Sequence, residues 1–219
     1  MKTIFAMRTF VLAVSVLSAA SLCGCGGSGE AGRSQDAGSG VLAPLAGKYI
    51  EIAGNRLESE KALKELEASG FDGAAQKKAD KIINELNQKN DVLEADAKSV
   101  AEGLKGKNIA CTASDATGLT DVECTVYGVK ASSKSANVVL AFTSTAPMDK
   151  DLGCLFLDES GQTLNKMKAF ANGDGTIGVI YMITTKDDAE SARIASRVAS
   201  ISLVTGAEYE AASITGLQD

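Results

Sequence analysis

Residues 97–112, Ala97-Lys98-Ser99-Val100-Ala101-Glu102-Gly103-Leu104-Lys105-Gly106-Lys107-Asn108-Ile109-Ala110-Cys111-Thr112, decide how this chain folds. Up to Leu104 apolar residues recur at helical spacing, and beyond Gly106 they begin to alternate. One face of a helix collects every third or fourth residue, whereas one face of a strand collects every second. The change of period at Gly106 predicts an α+β chain, with a helical part at 41–105 and a strand-rich part at 106–206.

Upstream of this boundary a helix is predicted from Ala74 to about Leu104, with Ala75, Ala79, Ile82, Leu86, Leu93, Ala97 and Val100 on one stripe. A first helix, Leu42 to about Ala68, carries Leu42, Leu45, Tyr49, Ile52, Leu63 and Leu66, interrupted by Arg56 and Ser59. Gly47 and Gly54 weaken it by about 1 kcal/mol each relative to Ala, and a short strand at Tyr49–Ile52 competes there. Ser69-Gly70-Phe71-Asp72-Gly73 reads as a turn, so the two helices form an antiparallel hairpin. Both stripes are narrow. The pair is therefore expected to pack on itself and lean on the next domain; a docking face for a partner helix is the other reading.

Downstream, strands are expected at 108–112, 122–129, 137–145, 152–157, 162–170, 177–184 and 199–205. Asp158-Glu159-Ser160-Gly161 and Asn172-Gly173-Asp174-Gly175 supply hairpin turns. Asp187 to Arg197 reads as a short helix with Asp187 and Asp188 at its N-terminus, and 207–219 as a loose tail. Seven short strands with dense turns predict a β-sandwich. Through Ala136-Asn137-Val138-Val139-Leu140-Ala141-Phe142, Phe156-Leu157-Asp158-Glu159-Ser160-Gly161 and a last strand after a short helix, this part resembles the immunoglobulin-like modules of bacterial envelope lipoproteins. The Trp and paired-Cys spacing of antibody domains is missing, and the resemblance implies a fold and no activity.

The N-terminus has the parts of an export signal. Lys2 and Arg8 precede the apolar run Phe10–Leu17, then come small residues and Leu22-Cys23-Gly24-Cys25. A start at Met7 leaves the same signal. The run is shorter than the roughly 20 residues that span a bilayer. The last four residues resemble the bacterial lipobox, with Cys23 in place of the usual Ala or Ser; an ordinary secretory signal with incidental cysteines is the alternative. The resemblance implies a signal at 1–24, cleavage before Cys25, and a diacylglycerol on its thiol. Residues 25–40 would then be the lipidated Cys and a Gly/Ser-rich tether of about 20 Å. The expected place is the extracytoplasmic side of a bacterial cell membrane or outer membrane. Gly26 lacks the Asp that retains enteric lipoproteins at the inner membrane, and the choice of membrane stays open.

The chain has 22 basic and 28 acidic residues. Without Lys2 and Arg8 the mature charge is −8, which argues against a nucleic-acid partner. There is no histidine, so Ser-His-Asp and Cys-His catalysis and histidine metal sites are excluded. No catalytic set, metal set or cofactor motif emerges. An EF-hand around Gly175 would put Phe170 and Tyr181 where carboxylates are required, and Asp187, Asp188 and Glu190 read as a helix start.

Cys111, Cys124 and Cys154 remain beyond the signal and anchor. An exported chain is expected to form one disulfide, and Cys111–Cys124 is a candidate beside the two pairings with Cys154. Closing that loop would contribute about 3 kcal/mol. Cys154 sits in an apolar strand as an inert thiol; a redox role lacks a CxxC partner. The expectation is a non-enzymatic, lipid-anchored protein that offers a β-sandwich surface to a protein or cell-wall partner. An envelope enzyme or redox factor using Cys154 or paired carboxylates is the second reading. A transporter's solute-binding subunit is the third, though the chain is short for two lobes.

Overall fold

The computed structural model describes residues 40–148, 151–172 and 176–216. The signal, Cys25 and the tether lie outside the described residues, as do Gly173, Asp174 and Gly175 of the second hairpin turn.

Helix α1 runs Ala43–Ala68, with Pro44 in its first turn, where a fixed φ suits the helix and no N–H is missed. No strand forms at Tyr49–Ile52. Gly70 at φ +66° and Phe71 at φ 60° reverse the chain. The Phe71 N–H reaches back to the Leu66 carbonyl at 3.2 Å, closing the helix end. Helix α2, Gly73–Leu104, starts at Asp72, whose carboxylate accepts from the N–H groups of Ala74 and Ala75. Lys48–Asp96 at 2.9 Å and Asn55–Asn90 at 2.8 Å set the register of the pair. Of the expected stripes Leu63 is exposed and Ala75, Ile82 and Val100 are half-buried, while the other members are buried.

The hairpin leans on the sheet through the start of α1. Leu42, Leu45, Ala46, Tyr49 and Ile52 are fully buried, and all but Ile52 belong to the main core. Tyr49 directs its hydroxyl between the carbonyls of Ser132 and Ser135, at 2.8 and 2.9 Å.

The strands are β1 (Asn108–Ala113), β2 (Glu123–Ala131), β3 (Ser135–Thr143), β4 (Leu152–Leu157), β5 (Thr163–Lys168), β6 (Phe170–Ala171), β7 (Ile177–Thr184) and β8 (Ser200–Thr205). They do not form the expected immunoglobulin-like sandwich. One hydrogen-bonded order, β5-β4-β8-β1-β2-β3-β7-β6, links all eight. The β1–β8 pair is parallel and the others are antiparallel. β4 and β7 stand five places apart, about 24 Å in a flat sheet. Yet the rings of Phe156 on β4 and Tyr181 on β7 meet edge-on with centroids 4.7 Å apart. The sheet is therefore curled, nearly closed into a barrel, and Ala169 alone separates its two outermost strands. Alternation is the same in a sandwich and a curled sheet, so the pattern could not tell them apart.

Between β7 and β8, helix α3 (Glu190–Arg197) buries Ala192, Ile194 and Ala195. Asp187 and Asp188 do not cap it. With Ala189 they form a short run at φ 49°, 52° and 61°, and α3 starts after it. Arg197 pairs with Asp158 at 3.5 Å, tying α3 to the β4–β5 turn. The tail expected to be loose opens with helix α4, Gly206–Ala211. A capping box starts it: Thr205 Oγ1 accepts from the Glu208 N–H, and Glu208 Oε2 accepts from the Thr205 N–H at 2.9 Å. Ser114 also donates to Glu208 Oε2, at 2.6 Å. Lys166 Nζ donates to the carbonyls of Tyr209 and Ala212, and the Tyr209 ring lies over Gly153.

Candidate functional site

Every second residue of β3 points into the curl: Ala136, Val138, Leu140 and Phe142 are fully buried. On β7 the inward set is Ile177, Val179, Tyr181 and Ile183. The opposite parity faces out, and there the chain is again apolar. Val139 stands opposite Ile180, and Ala141 opposite Gly178. On β2 an irregularity between Val126 and Gly128 inserts Tyr127 into the same row. From β6, Phe170 lays its ring over Gly178.

Tyr127 is 71% exposed, Ile180 and Met182 each 53%, and Phe170 41%. Four neighbouring strands thus present a continuous apolar row, with Thr125 and Thr143 toward one end and Lys130 and Asn137 toward the other. The other half of the same outer surface is treated differently, since α4 covers Gly153 of β4. Scattered exposed apolar residues are ordinary, but a contiguous row with a polar rim marks a contact surface. None of Tyr127, Ile180, Met182 and Phe170 stood among the candidate residues read from the sequence. The signal was present: Val138–Phe142 and Ile177–Ile183 are apolar at both parities apart from glycine, which one buried face does not require.

The candidate cysteines all lie on the curled sheet. Cys124 and Cys154 are buried, and Cys111 is half-buried. Burial pushes the Cys111 thiol up to about 12, opposed by a smaller backbone effect at Thr112. Burial raises Cys124 and Cys154 further, and the fields of neighbouring thiols add to the effect. A reactive thiol needs a lowered pKa and access; Cys154 has neither. All three are free thiols, and Ile109, not Cys111, stands opposite Cys124. Cys111 is a diagonal neighbour, for which Cα separations are roughly 7–8 Å, at the edge of what a disulfide spans.

Arg56, the residue that broke the helical stripe, has a structural explanation. Its Nη1 donates to Thr185 Oγ1 at 2.7 Å and its Nη2 to the Ser133 carbonyl at 3.1 Å. It braces α1 against the β2–β3 turn and the segment after β7. Among the described residues no group of three or more His, Cys, Asp or Glu is placed to hold a metal ion. Among them, too, no helix is long and apolar enough to cross a membrane. Comparison with protein-family models, with curated proteins and with solved structures finds no match.

Proposed function

We propose that this protein is a membrane-tethered envelope lipoprotein that acts by docking: Cys25 holds it to the membrane, and the outer face of β2-β3-β7-β6 receives a protein partner. The observation that carries the docking reading is the row Tyr127–Val139–Ile180–Met182 with Phe170, apolar and, apart from half-buried Val139, exposed beside a well-filled interior. An apolar row favours a protein surface over a cell-wall glycan, whose hydroxyls would call for more polar groups on the face. The hairpin supports a spacer role, since α1 alone is about 39 Å long. The anchor rests on the resemblance of Leu22-Cys23-Gly24-Cys25 to the lipobox. Thiol chemistry at Cys154 loses support from its burial.

A photo-crosslinking residue placed at Ile180 in intact envelopes tests the face, with the same residue at exposed Lys81 as control. A discrete protein adduct is expected at Ile180 and none at Lys81; equal or absent labelling rejects the docking face. The anchor has its own test. Cys25→Ala is expected to leave the membrane fraction, and mass spectrometry of the parent to show an acylated N-terminal Cys; a variant held as tightly as its parent refutes tethering.

A further inference from the structure

A second surface feature lies away from the sheet face and does not depend on the docking reading. Arg56 is half-buried, and two of its five N–H donors are spent on neutral acceptors, Thr185 Oγ1 and the Ser133 carbonyl. Among the described ion pairs none includes Arg56, so no carboxylate lies within salt-bridge distance of its guanidinium. Partly desolvated cations ordinarily take an anionic partner.

A groove of about 420 Å³ opens beside it, between α1 and the Thr185–Asp188 segment, within the roughly 300–1,000 Å³ typical of small-ligand sites. Its α1 wall is apolar at Ile50, Ala53 and Leu57. Arg193 and Lys186 line it, and so do Glu60, Asp187 and Asp188. None of these side chains is ion-paired among the described residues. Charges of both signs therefore face one cavity without neutralising each other. A simple anion would meet Arg56, Arg193 and Lys186 but equally three carboxylates, and the acidic field of the whole chain besides. A ligand bearing both charges and an apolar body meets complementary groups throughout.

We infer that this groove binds a short apolar peptide with free termini, its carboxylate on Arg56, its ammonium toward Asp187, Asp188 and Glu60, and its side chain against Ile50 and Leu57. Arg56 is then both brace and anchor, which explains a half-buried guanidinium held by neutral groups alone.

Titration calorimetry on the full-length protein in detergent tests this, with L-alanyl-L-leucine, its N-acetyl form, its C-terminal amide and inorganic phosphate as probes. The free dipeptide is expected to give saturable heat with Kd of about 1 mM or tighter. Each capped form is expected to bind about tenfold or more weakly, the loss of one charge-assisted contact, and phosphate more weakly still. Asp188→Asn, which leaves the Arg56 brace intact, should weaken the dipeptide severalfold with the thermal midpoint unchanged. Arg56→Lys should bind weakly and Arg56→Met not measurably. No saturable heat up to about 10 mM, equal binding of the capped forms or of phosphate, or full binding by a natively folded Arg56→Met overturns the inference. Should Arg56→Met fail to fold, the capped probes and Asp188→Asn decide it.

Discussion

Replacing Tyr49 by Phe removes one hydroxyl from the place where the hairpin meets the sheet, and leaves the buried ring. Tyr49 is fully buried on α1, and its hydroxyl hydrogen lies between two carbonyls of the β2–β3 turn. Ser135 keeps other donors after the change, because its carbonyl also accepts from the Ser132 N–H at 2.8 Å and the Ser132 hydroxyl at 2.9 Å. The Ser132 carbonyl takes its bond from Tyr49, but Ser132 is exposed and water can replace part of what is lost. The cost should therefore sit near the lower part of the range for a broken hydrogen bond, about 1–1.5 kcal/mol. For a folded unit of this size that lowers the midpoint by about 3–5 °C. Thermal unfolding followed by circular dichroism reads the shift; urea titration should show a lower midpoint with an unchanged slope. Tyr127→Phe serves as control, since that ring is 71% exposed and its change should stay within about 0.5 kcal/mol. A shift below about 1 °C for Tyr49→Phe, or an equal loss in the control, would refute the claim that this contact locks the hairpin to the sheet.

Parity on β7 predicts opposite outcomes for adjacent residues: Ile180→Lys, on the exposed face, should change stability by less than about 0.5 kcal/mol, whereas Val179→Lys, fully inside, should cost more than about 4 kcal/mol or prevent folding, as read by urea titration. The three thiols should react slowly with a thiol reagent in the native protein and at once in denaturant. Stability should also fall in alkali. The folded Cys111 thiol is raised to about 12 from an ordinary 9.0, and the Tyr181 phenol to about 12 from 10.0. Raised values leave stability intact below the unfolded pKa near 9 and lose it as pH climbs toward about 12, at about 1.4 kcal/mol per pH unit for each buried group. A denaturation midpoint flat from pH 7 to about 11 would contradict this. Gly153→Ala should cost about 1–3 kcal/mol and loosen α4, because its new methyl would meet the Tyr209 Cβ at 2.7 Å. Gly178→Ala should cost less, since its tightest contact is the far end of the exposed Phe170 ring, which can swing away, and only the Leu140 carbonyl at 3.2 Å must also give; amide exchange in α4 separates the two.

Much of the chain was legible without coordinates. The α2 stripe, the Ser69–Gly73 reversal and the change of period at Gly106 are local signals, each written within a few residues. Asp187 and Asp188 were legible as acids before a helix but not as a left-handed run, because nothing in their types demands positive φ. The tail after Gly206 opens as a helix where its shortness suggests a loose end, because Thr205 and Glu208 form a capping box. Arg56 showed only as an interruption; its meaning depends on Ser133 and Thr185, which lie 77 and 129 positions away.

The sequence alone determined the two long helices, the approximate places of the strands, where the period changes at Gly106, and which chemistries the lack of histidine forbids. Tertiary structure alone decided that the strands make one curled sheet, that β1 runs parallel to β8, and that one apolar row stays outside while its neighbours are buried. Periodicity is a property of neighbouring residues. Pairing order and curl depend on which distant faces meet, as when Phe156 touches Tyr181 across a sheet that alternation alone would leave flat.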